Sequence, residues 1–554
     1  MTERTTVKRT TGWLVIETIK NYGVDTVFGI PGTHNLEFYR PLAEFGIRAV
    51  TSRHEQGAGY AADGWSLQTG RPGVVITTSG PGLLNALSAA GTAYAESRPM
   101  IILAPGPARG KEFADVGTLH ETKDQLSAAA AIVERASRVQ TAGEAVAAVH
   151  EAFELFATTR PRPVYIEVPL DLLEEEIGEE IADAELTARD FPPVSAPDAA
   201  LVAAAAAALA GAQDPVILAG GGSRGAGGEL RRLAERLGAP VVTTLNAKGV
   251  LDETHPLALG SNLRLAAARN RARDADVLLV VGAKLGGAEL WVDALEARGR
   301  VIRVDLLASQ IHKNQRAEIG IVADAAAAIA AIGEALDGLD GPGAQSAGPR
   351  DAAASVAATR EAVRAESAEL DGVNTALGEL IAGTLPENAI VSTDSSQIAY
   401  WGLLNAVTAR VPNSTPYMGT YATLGYGLPA AIGSRIAAPE RPVFAVLGDG
   451  ALMFSMQEFI TVVEQGIDVT VVVVDNGGYA EIQQNEADAG IAPVGVVLAQ
   501  PDWAAVATAF GGAGHRVANA AELATAVDAA VSRGGLQLIH LQQDAFDLGS
   551  GANA

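Results

Sequence analysis

Two apolar runs in the C-terminal third of the chain end on residues that can do chemistry. Gly448, Asp449 and Gly450 close the run PVFAVL, and Asn476 closes VTVVVVD with Gly478 two residues further on. The stretch between them reads as helix, so the pattern is strand, helix, strand. A parallel sheet carries both strand ends to one edge, which is where open α/β sheets bind ligands. There the Asp449 carboxylate, the Asn476 amide oxygen and the Gly478 backbone carbonyl form a set of hard oxygen ligands. Such a set suits octahedral Mg²⁺, with phosphate oxygens filling other positions. The glycines on either side of Asp449 permit close backbone approach to a diphosphate.

The elements that must position these residues are legible along the chain. Short apolar runs bounded by Gly and Pro alternate with Ala-rich helical stretches, among them VDTVFGIPG, PGVVITTSGPG, DPVILAGGG, ADVLLVVGA, RVIRVDLLA and AIVSTDSS. This rhythm predicts an α/β fold of consecutive parallel-sheet domains. Acid-, Ala- and Pro-rich stretches at Asp171–Ala200 and Asp337–Ala358 read as linkers and divide the chain into blocks 1–185, 186–345 and 346–554. The runs LVAAAAAALAGA and AAAAIAAIGEAL are expected to be surface helices of the middle block. In that block Gly220, Gly222 and Gly225 mimic a dinucleotide fingerprint, but VVTTLNAKG stands where its acid is expected.

Composition narrows the partners. The 554 residues carry a formal net charge of -25, which repels phosphate backbones and anionic lipid, so neither nucleic acid nor membrane is expected. There are no cysteines, which removes disulfides and thiolate chemistry and fits a reducing, cytoplasmic setting. No stretch reaches the roughly 20 apolar residues of a membrane span, and the first residues lack an apolar signal-peptide core.

With GDG, its spacer and the terminal Asn in view, the chain resembles the thiamine diphosphate-dependent superfamily of acetolactate synthases and 2-oxo acid decarboxylases. Three further segments carry the likeness in the family's order: RHEQGAG around Glu55, TSGPGLLN from Thr78 to Asn85, and YATLGYGLPAA from Tyr421 to Ala431. The resemblance implies three domains: aminopyrimidine-binding, Rossmann-like middle and diphosphate-binding. It makes Glu55 the residue that hydrogen-bonds ring nitrogen N1′ and turns the 4′-amino group into a base. A carboxyl in that role needs a dry pocket that favours its protonated form. Pro31, Thr78, Pro81 and Asn85 are then expected beside the cofactor. Ala422 accepts from its amino group, and Leu424 props it into its bent shape. Ser395, Ser396, Gln397, Gly448, Gly450 and Ala451 contact its diphosphate. Mg²⁺ falls to Asp449, Asn476 and Gly478.

Substrate-facing candidates are Thr33 and His34 in the first turn, His120 in LHET, and Glu481 beyond the Asn476 segment. The family varies its residues over the reacting centre at the first turn, and related decarboxylases carry a proton-handling acid near the position of Glu481. Glu289 and Glu37 are further acids, and Glu289, Glu481 or Glu37 could meet a cationic, guanidinium-bearing substrate. The motifs look closest to bacterial decarboxylases of the 2-ketoarginine type. They imply non-oxidative decarboxylation of a 2-oxo acid to an aldehyde, with acetolactate synthase-type carboligation as the alternative. A non-catalytic cofactor-binding relative or regulatory subunit is a third reading. The resemblance also implies a homodimer or homotetramer with active sites between subunits, and a middle domain that holds no FAD.

Overall fold

The computed structural model describes residues 9–177, 181–192, 194, 196–339 and 351–548. It contains three parallel sheets with helices between successive strands, so the architecture is α/β as the alternation predicts. By compactness the chain forms two units. The first comprises Met1–Pro193, Leu428–Glu440 and Ser455–Val469, and the second Val194–Gly427, Arg441–Phe454 and Thr470–Ala554.

The first sheet uses β1 (Thr26–Gly29), β2 (Arg48–Thr51), β3 (Gly73–Ile76), β4 (Met100–Gly106), β5 (Arg135–Arg138) and β6 (Val164–Pro169) in the order β2-β1-β3-β4-β6-β5. Its inner strands are buried at every position, whereas the edge strands β2 and β5 alternate or lie open. A strand covered by helices on both faces must be apolar throughout, which is why GVVI and MIILAPG read as continuous runs.

The second sheet uses β7 (Pro215–Ala219), β8 (Val241–Thr243), β9 (Ala258–Gly260), β10 (Val277–Val281), β11 (Arg300–Asp305) and β12 (Ile319–Val322). Its order, β12-β11-β10-β7-β8-β9, is the doubly wound order of a Rossmann fold. After β7 the glycine run forms a 3-10 turn, Gly221–Ala226. Gly220 N donates to Val281 O at 2.8 Å and Gly222 N to Gly282 O at 3.1 Å, so this turn is stitched to the end of β10. The two Ala-rich runs are helices, Ala199–Ala210 and Ala325–Leu339. They are not merely superficial, because Val202, Ala205, Ala206 and Leu209 of one and Ile329, Ile332 and Leu336 of the other enter the core. Small side chains let the helices lie close to the sheet. Part of the second acidic stretch, 340–350, falls outside the described residues, and a helix begins again at Ala352.

The third sheet uses β13 (Ile390–Thr393), β14 (Val443–Gly448), β15 (Val469–Asp475), β16 (Ala513–Val517) and β17 (Leu536–Gln542) in the order β13-β14-β15-β17-β16. β14 and β15 run side by side with Gly448 in register with Val474, so Asp449 and Asn476 emerge at the same edge. No described helix is long and apolar enough to cross a membrane.

Candidate active site

In the second unit, the two strand ends bring the predicted oxygens together. Asp449 is fully buried, and its Oδ1 accepts from the backbone N–H of Asn476 at 3.3 Å. The outer atom of the Asn476 amide lies 3.1 Å from both Gly478 O and Asp449 Oδ1. With its nitrogen there, the amide donates two hydrogen bonds. With its oxygen there, three oxygens face one another with no proton between them, an arrangement that a cation makes favourable. Two further observations fit a cation and a diphosphate. Asp449 Oδ2 and Ser396 Oγ are buried without a hydrogen-bond partner, and a buried polar atom left so is costly. Burial raises the pKa of Asp449 from 3.8 to about 6; the Asn476 N–H opposes the rise and the neighbouring Asp475 charge adds to it. An ionised Asp449 therefore lacks compensation that a divalent ion would supply.

The surrounding chain aims this cluster. Gly478 has φ +149°, and a Cβ there would sit 2.0 Å from Val496 O, so only glycine fits between Asn476 and Val496. Asp475 is drawn away: its Oδ2 pairs with His540 Nε2 at 2.9 Å and its Oδ1 accepts from Gly477 N. Ser395, Ser396 and Gln397 follow β13, and Ser396 Cβ lies against Gly448. Asp394, which sequence reasoning missed, is buried here with its pKa raised by burial to about 6. Its carboxylate accepts from Ser395 N and Gly427 N, each at 2.9 Å, and so ties the end of β13 to the segment that carries Ala422 and Leu424. Ala422 has φ +52°, a left-handed backbone rare for a residue with a Cβ and worth noting at a candidate site. Ala451 is buried in the short helix Asp449–Leu452.

The first unit carries the second cluster, on the carboxyl edge of its sheet. Glu55 opens the helix Glu55–Thr69, whose N-cap His54 accepts from Gln56 N through its ring. Its side chain is buried, and Oε2 accepts from Asn85 Nδ2 at 3.0 Å. A Cβ on Gly82 would come within 3.2 Å of Glu55 Oε1 and 2.8 Å of Thr78 Cγ2, so the TSGPG turn must lack a side chain there. Around the same turn, His34 Nδ1 lies 2.7 Å from Ser79 Oγ, and His120 Nδ1 lies 3.4 Å from both Thr78 Oγ1 and Ser79 Oγ. The two imidazoles meet edge to face at 5.3 Å. Burial, and then the nearby His120, lower the pKa of His34 below 6.5. Thr33 and Pro31 sit in the exposed turn before His34. Pro81 begins the helix Pro81–Glu96.

Glu458 escaped sequence reasoning. Buried beside this cluster, its Oε1 accepts from Arg53 N at 2.9 Å and His54 N at 3.1 Å, and its Oε2 accepts from Thr461 Oγ1. It thereby holds the turn that presents Glu55. Its only signal in the sequence was an acid inside an apolar helical stretch.

The remaining acid candidates are each held by hydrogen bonds. Glu37 is buried with Arg40 Nε at 2.8 Å and Thr10 Oγ1 at 3.0 Å on Oε2, and Arg40 Nη2 at 2.5 Å on Oε1, so it braces the first helix. Glu289 Oε1 accepts from Leu245 N. Glu481 is exposed, and its Oε2 accepts from Tyr400 Oη at 2.9 Å and Gln397 Nε2 at 3.2 Å. A cavity of about 1030 Å³ in the second unit, bordered by Lys248, Glu253, Arg360 and Arg441, is lined by none of the nominated residues.

Both clusters lie in segments that match known protein families. Residues 9–128 match the N-terminal TPP-binding domain of thiamine pyrophosphate enzymes, 202–332 the central domain, and 395–541 the C-terminal TPP-binding domain. The chain is 36% identical to a probable 2-ketoarginine decarboxylase of Pseudomonas aeruginosa, over 96% of this chain and 94% of that protein. It is 31% identical to a probable acetolactate synthase large subunit of Methanocaldococcus jannaschii, covering 83% of this chain and 79% of the relative. With the large subunit of acetolactate synthase isozyme 1 of Escherichia coli the identity is 29%, over 98% and 95%. The chain belongs to the thiamine pyrophosphate-dependent enzymes.

Proposed function

We propose that this enzyme decarboxylates a 2-oxo acid to an aldehyde with thiamine diphosphate and Mg²⁺. The observation that carries the reading is the Asn476 amide lying 3.1 Å from both Asp449 Oδ1 and Gly478 O, beside the unpartnered Asp449 Oδ2 and Ser396 Oγ. In this reading Asp449, Asn476 and Gly478 O hold Mg²⁺, while Ser395, Ser396, Gln397, Gly448, Gly450 and Ala451 hold the diphosphate. Ala422 and Leu424 support the aminopyrimidine, with Pro31, Thr78, Pro81 and Asn85 around it. When bound, the cofactor supplies an electron sink at its C2 carbon that no side chain can provide.

The remaining work falls to the chain's own residues. Glu55 holds a proton at N1′, and Asn85 Nδ2 fixes the carboxyl so that the proton stays aimed. His34 and His120, linked through Ser79, line the space over the reacting carbon with Thr33. With its pKa lowered, His34 is neutral near pH 7 and can accept as well as donate a proton. These histidines exchange protons with the substrate oxygen and with the carbon left after loss of CO₂. Support for decarboxylation over ligation comes from the name of the Pseudomonas relative. Carboligation is the second reading, favoured by the acetolactate synthases among the relatives.

Three domains dividing near 185 and 345, a cytoplasmic location and a flavin-free middle domain belong to the same proposal. So does a dimer or tetramer in which the Glu55 cluster of one copy serves the Asp449 cluster of another. A strictly monomeric yet active protein in light scattering contradicts the assembly, and a flavin absorption band contradicts the empty middle domain. The reaction itself is tested by incubating the holoenzyme with pyruvate and with 2-ketoarginine and identifying the products. Aldehyde and CO₂ are expected; acetolactate without aldehyde sinks decarboxylation.

A further inference from the structure

Glu481 lies three residues beyond Gly478 and one side chain away from the diphosphate loop. Its Oε2 is held by Tyr400 Oη at 2.9 Å and by Gln397 Nε2 at 3.2 Å, and Gln397 directly follows Ser396. Oε1 has no described partner, and no described cation pairs with this carboxylate. An acid in the first turn of a helix favours the helix dipole. That general preference does not explain why this one is clasped by side chains from a different element.

That element is unusual. Residues Ile398–Leu403 form a π-helical turn, a rare conformation concentrated at functional sites. It places Tyr400 and Trp401 side by side, and both meet the indole of Trp291 edge to face, at 5.8 Å and 5.0 Å. Trp291 is itself an outlier. It is 44% exposed and has φ +54°, a strained backbone for a bulky side chain and an uncommon degree of exposure for the largest one. The buried Arg264 nearby is spent on the turn, donating to Tyr400 O, Ser261 O and Asn405 Oδ1. A solvent-exposed carboxylate oriented by two side chains, beside the exposed indole of Trp291 and the half-buried ring of Tyr400, is the chemistry that recognises a guanidinium or ammonium group.

Resting on the decarboxylase reading above, we infer that Glu481, Tyr400 and Trp291 select a 2-oxo acid with a cationic far end. Gln397 and Tyr400 orient the carboxylate and leave Oε1 for the cation, which lies against the Trp291 and Tyr400 rings. Glu481 is thus assigned to specificity, in addition to any part it takes in proton handling.

The test uses holoenzyme loaded with Mg²⁺ and thiamine diphosphate. Calorimetry measures binding of 5-guanidinopentanoate and of hexanoate, which lacks the cation, to wild type, Glu481→Gln, Trp291→Leu and Trp291→Phe. The kcat/KM values for the corresponding 2-oxo acids are measured alongside. Wild type is expected to favour the guanidino compounds by at least about tenfold, and Glu481→Gln to remove about tenfold of that preference. Trp291→Leu should lower the preference about threefold and Trp291→Phe restore it. No preference in wild type, or a loss in Glu481→Gln shared equally by both compounds, overturns the inference. If no 2-oxo acid is decarboxylated while 5-guanidinopentanoate still binds in a Glu481-dependent way, the proposed reaction fails and the specificity site stands.

Discussion

Replacing Asp449 by Asn separates the cost of the proposed metal site from its use. In the metal-free protein, burial raises the Asp449 pKa from 3.8 to about 6. A folded-state pKa raised above the unfolded value means that the favourable contribution is fully present below pH 3.8 and is lost as pH rises through 6. Two units at about 1.4 kcal/mol each give roughly 3 kcal/mol lost above that range. Asparagine does not titrate, so D449N keeps what the wild type loses. The gap in unfolding free energy between D449N and wild type should therefore widen by about 2 kcal/mol from about pH 4.5 to about pH 8. Asp394, whose pKa is raised similarly, is common to both proteins and cancels. Chemical denaturation in EDTA, read at several pH values, measures the gap. Adding the Mg²⁺ complex of thiamine diphosphate, as one ligand, at about a hundred times its dissociation constant should stabilise wild type by about 2.7 kcal/mol. D449N should gain much less. A gap that stays constant with pH, or equal stabilisation of both proteins by this complex, refutes the assignment of Asp449 as an uncompensated metal ligand.

Alanine at His34 or His120 should lower kcat/KM by about a hundredfold, the usual weight of a proton-transfer group, with cofactor affinity by calorimetry nearly unchanged. Gly80→Ala should impair turnover as well, because Gly80 has φ +59° and a Cβ there would lie 2.3 Å from His120 O, forcing that loop to move; a fully active variant contradicts the placement of His120. Glu458→Ala strands the Arg53 and His54 N–H groups and should cost about 2 to 5 kcal/mol in unfolding measurements. Glu458→Gln, which still accepts, should recover most of the stability and activity.

Legibility in the sequence followed the range of the interactions. Inner strands such as β3, β4, β14 and β15 announced themselves because burial on both faces demands unbroken apolar runs. The edge strand β2 mixes exposed and buried positions and gives no such signal. Asp449 and Asn476 could be paired because strand, helix, strand is a local pattern. Glu458 could not be matched to Arg53 and His54, which lie more than four hundred residues away. At Asp394, nothing local in AIVSTDSS tells that the Gly427 N–H returns to its carboxylate. Glu37 looked available because charge alone does not reveal that Arg40 and Thr10 occupy its oxygens. The Ala-rich runs were legible as helices, but uniform composition hides which face is buried.

Central to the proposed function is Glu55 as the residue that activates the cofactor. The direct measurement is the rate at which the C2 proton of bound thiamine diphosphate exchanges in deuterium oxide, followed by quenched-flow NMR for wild type and Glu55→Gln. Glu55→Gln should bind the cofactor with similar affinity but slow the exchange by about a hundredfold or more. Equal exchange rates in the two proteins, with both fully loaded, would contradict the account.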